Sequence, residues 1–195
     1  MSTIQTADLF NKDAFSDIKI KFGSRQFKAH KIVICRQSQY FNKLCGPDTQ
    51  FAEGGQTVIE LKEDDEDAVY AMLQWIYTFE YDTTWAAQPR FTPEAFEFHN
   101  NVHLVADKYQ LPTLSTLAKR RVNAVISSCT TDTLLILMCR ASSGGGGCDP
   151  IQTMQSFKDR SNTRFKTLLH DDRFLQLLKD DPELSLNTIC MLRPA

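Results

Sequence analysis

Residues 18–22 read Ile-Lys-Ile-Lys-Phe, with apolar and charged side chains alternating. A period of two puts Ile18, Ile20 and Phe22 on one face and Lys19 and Lys21 on the other, so a half-buried strand is predicted. Gly23-Ser24 follows as a two-residue turn, in which glycine supplies the positive φ of a tight hairpin. Gln26 to His30 returns as a second strand with Phe27 and Ala29 on one face. The periodicity then changes. Ile32-Val33-Ile34 is expected to form a compact apolar turn, and Ser38 to cap a short helix that buries Tyr40, Phe41 and Leu44. Cys45-Gly46-Pro47-Asp48 breaks the chain. Thr57 to Leu61 is a third, short strand.

Helical spacing dominates what comes next. Glu63 to Asp67 is an acidic cluster and reads as a helix start, with Asp64 or Asp65 as the cap and the carboxylates at the positive end of the dipole. From Glu66 to Thr78, Val69, Met72, Leu73, Ile76 and Tyr77 recur at i, i+3, i+4, i+7 and i+8, an apolar stripe with Trp75 off its centre. Residues 81–91 are loop-like. Thr92-Pro93-Glu94 opens another helix, with threonine as cap and proline at the first position. Its buried stripe is Ala95, Phe98, Val102, Val105 and Tyr109. Leu111-Pro112 ends it, and Thr113 to Ile126 repeats the pattern with Leu114, Leu117, Ala118, Val122 and Val125. Asp132 to Arg140 is a further helix, and Ser142 to Gly147 a flexible break. Ile151 to Leu169, Arg173 to Lys179 and a segment from Pro182 are expected to be helical. Ahead of the first strand, residues 1–16 are polar apart from Ile4, Leu9 and Phe10, with a turn at Asn11-Lys12-Asp13 and Phe15 leading into the strand.

Composition narrows the field. A chain of 195 residues suits one domain or one domain with an appendage, and burial of roughly 70% of the unfolded surface makes staples unnecessary. The net charge of −2 argues against nucleic acid as a partner, because phosphate binding relies on a basic surface. No apolar run approaches the roughly 20 residues of a membrane span, and Met1 to Gln5 lacks the blocks of a signal peptide. The six cysteines contain no C-x-x-C pair, so they read as reduced thiols, with Cys35 and Cys139 as core filler. The cytoplasm or nucleus is the expected compartment.

Candidate chemistry is sparse. His99, His103 and Asp107 stand four apart on one predicted helix, a spacing that suits zinc, but no fourth ligand is evident. They are expected to flank the buried stripe as surface residues, and neither metal nor cofactor is expected. No nucleophile elbow, phosphate loop or dinucleotide fingerprint occurs, so the chain is not expected to be an enzyme. Lys119-Arg120-Arg121 reads as the solvated face of its helix.

Residues 17–44 also carry a family resemblance. Asp17, the hairpin, Phe27-x-Ala29-His30-Lys31, the aliphatic trio Ile32 to Ile34 and Ser38-x-x-Phe41 resemble the front half of a BTB/POZ domain. Trp75-Ile76-Tyr77-Thr78 and Ala106-Asp107-Lys108-Tyr109 resemble two later signatures of that family, which usually has glycine where Phe79 stands. The resemblance implies an α+β fold, a small sheet flanked by a cluster of short helices. It implies a structural role for His30 at the start of the next helix. It also implies a buried charged pair, Asp17 and Lys31, near a dimer interface, to which Leu9, Phe10 and Phe15 are candidate contributors.

The expected organisation is an N-terminal segment (1–14), a BTB/POZ domain (15–128) and a helical extension (129–195) with a Gly-rich loop at 142–147. That extension resembles the endings of fungal BTB proteins. The implied function is protein–protein interaction: a homodimer that hands substrates to a cullin RING ubiquitin ligase. Phe51-Ala52-Glu53 matches the family's hydrophobic-x-Glu cullin motif, and Tyr40, Phe41, Tyr77 and Tyr81 are candidates to complete that surface. The alternative is a self-associating transcription or chromatin scaffold that recruits a corepressor without a cullin.

Overall fold

The computed structural model describes residues 5–47, 57–81, 92–128, 130–142 and 166–192. The alternation in residues 18–22 produces strand β1 (Ile18–Phe22), whose burial alternates as the sequence does. It pairs antiparallel with β2 (Arg25–Ala29), setting Ile18 opposite Ala29 and Ile20 opposite Phe27. Strand β3 (Val58–Leu61) lies on the other side of β1 and runs parallel to it, with Ile20 opposite Ile59 and Phe22 opposite Leu61. The order β2-β1-β3 gathers these apolar residues on one buried face. Gly23 sits at φ +53, which glycine adopts without strain, and a Cβ there would displace the Glu66 carboxylate that now lies 1.9 Å from its position.

Helix α1 (Lys31–Gln37) and helix α2 (Gln39–Cys45) meet at Ser38. The expected apolar turn is therefore a seven-residue helix. Successive residues on a helix diverge by about 100°, so three aliphatic neighbours cannot share one face. Ile34 is fully buried and Ile32 points outward. Ser38 Oγ accepts from Phe41 N (3.1 Å) and donates to the Tyr109 carbonyl (2.7 Å), capping α2 and tying it to a buried partner.

Helix α3 (Glu66–Thr78) is capped by Asp65, whose Oδ1 accepts from Ala68 N at 2.8 Å. The expected stripe is buried, and so is Trp75. At its C-terminus Phe79 takes φ +59, ψ 12, the left-handed position at which glycine is at ease. Glu66 reaches back to the hairpin: its carboxylate accepts from Ser24 N and Ser24 Oγ, each at 3.0 Å, and Arg25 lies 3.4 Å away. The bonds from Ser24 hold the Glu66 carboxyl below its ordinary range. Asp64, the other candidate cap, instead accepts from Tyr109 Oη (2.5 Å) and pairs with Lys108 (2.8 Å).

Helices α4 (Pro93–Lys108) and α5 (Pro112–Ser128) follow, then α6 (Thr131–Ser142), α7 (Asp172–Asp180) and α8 (Pro182–Leu192). Thr92 caps α4 through Ala95 N (3.2 Å). On α4 the buried face holds Phe96 and His99, while the expected Phe98 is only half-buried. The chain divides into two compact units, Met1–Trp85 with Asn101–Ala118, and Ala86–Asn100 with Lys119–Ala195. The division falls inside α4 and α5, so the second unit begins earlier in the sequence than a simple tail would. Its core joins Phe96 and Val125 to Leu134, Leu135, Leu168, Phe174 and Leu184. Asp171 and Asp181 cap α7 and α8, accepting from Arg173 N and Leu184 N, each at 2.9 Å.

Candidate interaction surface

The segment ahead of β1 is clipped to the start of α1 by side chains and backbone together. His30 is buried, and its ring bridges two partners: Nδ1 lies 2.8 Å from Tyr77 Oη and Nε2 lies 2.8 Å from the Ala14 carbonyl. The carbonyl can only accept, so Nε2 carries the proton and Nδ1 accepts from the phenol. Three residues on, Asp17 N donates to Ala29 O (3.3 Å), and Asp17 Oδ1 accepts from Lys31 N (2.8 Å). Asp17 thus satisfies one of the free amides that open α1. In the single chain Asp17 is exposed and Lys31 half-buried, and the Asp17 carboxylate clasps the start of α1.

Between these clips, Phe15 adopts φ +62 and stands 77% exposed. One residue beyond Lys31, Ile32 is 79% exposed. Phe15 thus lies in sequence between Ala14, bonded to the His30 ring, and Asp17, bonded to the Lys31 amide, and Ile32 follows Lys31 directly. A helix that presents an isoleucine to water where its neighbour Ile34 is buried leaves apolar area uncovered. Ile32 is the residue the sequence reading missed; the signal was the unbroken aliphatic trio, which no helix can bury whole.

Other candidates are spent on the chain's own interior. The helical turn Thr6–Leu9 packs beside α3, and the Phe10 ring meets Phe27, Tyr70 and Tyr77 at centroid distances of 5.1, 5.6 and 5.9 Å. Leu9 is half-buried. Phe41, Tyr77 and Tyr81 are all at or below 1% exposure, which corrects their assignment to a docking surface. Phe41 stacks on Tyr109 (5.6 Å, 3°), and the Tyr77 phenol serves His30. Tyr40 is half-buried, edge-on to Tyr109 at 4.9 Å. Phe51 and Glu53 lie outside the described residues.

The expected surface placement of His99 is corrected too. His99 is buried, and burial, with a smaller contribution from Arg121, pulls its pKa down from 6.5 to about 4. His103 is half-buried with Nδ1 3.0 Å from Ser115 Oγ, and Asp107 is exposed. Among the described residues no three potential ligands converge. None of the described helices is long and apolar enough to cross a membrane.

A family model for the BTB/POZ domain matches residues 6–124. The chain belongs to the BTB/POZ domain family. Among curated BTB relatives it is similar to human Rabankyrin-5, 26% identical over 121 residues, covering 62% of this chain and 9% of that one. It is also similar to Kelch-like protein 40 of Xenopus tropicalis, 24% identical over 174 residues, covering 89% of this chain and 25% of that one. The BTB chain described here therefore spans a quarter or less of the length of these relatives. Among solved structures, the BTB domain of human gigaxonin is 16% identical, covers 55% of this chain and 78% of that one, and superposes with a TM-score of 0.41.

Proposed function

We propose that this BTB chain is a protein–protein interaction module that pairs with a second copy of itself through the edge formed by Phe15 and Ile32. The observation that carries the reading is the exposure of these two large apolar residues on a scaffold fixed by four hydrogen bonds. Burying both across a symmetric contact would contribute several kcal/mol, at about 1.5–3 kcal/mol per side chain. A two-fold axis at that edge makes each Ile32 available to the partner's copy of the same surface.

We further propose that the dimer acts as a substrate adaptor for a cullin RING ubiquitin ligase. Support comes from the similarity to Kelch-like protein 40 over 89% of this chain and from Phe51-Ala52-Glu53 in the sequence. With Phe41, Tyr77 and Tyr81 buried, cullin recognition rests on Phe51 and Glu53, with half-buried Tyr40 as the remaining aromatic candidate.

Light scattering of the purified chain combined with titration of a cullin N-terminal domain tests both parts. A dimer that becomes a monomer on Phe15→Asp with Ile32→Asp, at unchanged helicity, is the expected result; a wild-type monomer at high micromolar concentration sinks the first part. Cullin binding lost on Phe51→Ala and Glu53→Lys is expected for the second. A dimer indifferent to every cullin tested would leave the self-associating scaffold as the reading.

A further inference from the structure

Cys35 on α1 and Cys45 at the end of α2 bring their sulfurs within 3.6 Å. Both thiols also donate to one acceptor, the Phe41 carbonyl, at 3.4 and 3.3 Å. The backbone around them is braced. Ser38 N donates to Ile34 O (3.0 Å) to close α1, and the Ser38 hydroxyl caps α2 and donates to the Tyr109 carbonyl. A disulfide needs its sulfurs 2.03–2.05 Å apart, so the pair must close by about 1.6 Å, with the side chains turning off the shared carbonyl. Cys35 is half-buried and Cys45 buried, so a dissolved oxidant meets Cys35 first.

We propose that Cys35 and Cys45 form a site of reversible oxidation, an intrachain disulfide that staples α1 to α2. With a peroxide as oxidant, the Cys35 thiol gives its proton to water and the thiolate sulfur attacks one peroxide oxygen. The O–O bond breaks, and hydroxide leaves behind a sulfenic acid. Cys45, deprotonated in turn, attacks the Cys35 sulfur; the S–S bond forms, the S–O bond breaks and hydroxide leaves. The two released protons convert both hydroxides to water. Two thiols and one hydrogen peroxide thus yield one disulfide and two waters, with each sulfur losing one electron and the peroxide gaining two.

Burial raises both thiols above their ordinary pKa, Cys35 to about 12, with Cys45 adding to the rise. Thiolate is therefore scarce at neutral pH, and the first step is slow and gains speed as pH rises. Such a site records sustained oxidant, and the exposed thiol of Cys190 gives an internal comparison on the same chain.

The test uses the full chain, exposed to hydrogen peroxide, alkylated, digested without reductant and mapped by mass spectrometry. The expected product is a peptide linking Cys35 to Cys45, about 2 Da lighter than the two thiols together and separated again by dithiothreitol. In Cys45→Ala, a sulfenic acid trapped at Cys35 by dimedone is expected in its place. Recovery of both residues as alkylated thiols while Cys190 is oxidised would overturn the proposal, as would Cys35 linked to any other cysteine. The wild-type map decides the matter even where the variant does not fold.

Discussion

The phenol of Tyr77 is bonded twice to one residue, His30: it accepts from the His30 backbone N–H at 2.9 Å and donates to the His30 ring at 2.8 Å. Both residues are almost wholly buried, so no water can replace either bond. Tyr77→Phe leaves a buried amide and a buried ring nitrogen without this partner. Such groups cost about 1–3 kcal/mol each, so a loss of about 2–6 kcal/mol is expected in denaturant unfolding. A loss below about 1 kcal/mol would show that the pair contributes packing only.

Phe79 gives a test of backbone strain. At φ +59 an ordinary residue is disfavoured by about 1–2 kcal/mol relative to glycine. Its ring also meets Trp75 edge-on at 5.7 Å, so a single replacement would mix the two effects. Comparing Phe79→Gly with Phe79→Ala separates them, since both lose the ring and only alanine keeps the strain. The glycine variant should be the more stable by about 1 kcal/mol, the reverse of the order inside a helix. Alanine matching or exceeding glycine in thermal unfolding would refute the strained assignment.

The chain should lose stability between neutral pH and pH 4 through His99. Its pKa is 6.5 in a solvated chain and about 4 when folded, because burial disfavours the imidazolium. As pH falls below 6.5, the unfolded state takes up the proton and the folded state does not, which favours unfolding. The contribution is whole above pH 6.5 and declines toward pH 4, by on the order of 3 kcal/mol at about 1.4 kcal/mol per unit. Stability measured at several pH values for wild type and His99→Gln should give a shallower decline in the variant. Parallel curves would remove His99 as the cause.

Phe96 reports on the second unit. It is buried among Val125, Leu134, Leu168 and Phe174, so Phe96→Ala should cost about 3–5 kcal/mol. The loss should appear as faster amide exchange in α6, α7 and α8. Exchange that quickens only in β1–β3 would contradict that core.

Local signals were the ones legible in advance. Alternation at residues 18–22, the cap at Ser38 and the stripe of α3 each depend on neighbours within a few positions, and each appears where the pattern puts it. Side-chain direction across elements was not legible. On α4 the expected Ala95, Val102 and Val105 are buried, but Phe96 and His99 join them while Phe98 is half-buried, because the second unit's core supplies partners for Phe96 that the spacing within one helix cannot reveal. Tyr77, on the α3 stripe, and Tyr81 were also offered to a docking surface because aromatic character suits an interface, but His30, 47 residues away in sequence, takes the Tyr77 hydroxyl. The Asp17 carboxylate also accepts from the Lys31 backbone amide, a bond that composition does not encode.

The central position of β1 has a consequence for how the chain is made. One neighbour, β2, leaves the ribosome seven residues after β1 begins, while the other, β3, arrives 40 residues after β1 begins and aligns in parallel. The hairpin can zip during synthesis, but the far edge of β1 must wait, its amides open, until Leu61 has emerged and the ends of the intervening segment have come together. A nascent chain stalled before Val58 therefore carries a two-stranded ribbon, followed by α1 and α2, with one edge of β1 unpaired and its apolar face uncovered by β3, the stage at which it most needs a chaperone.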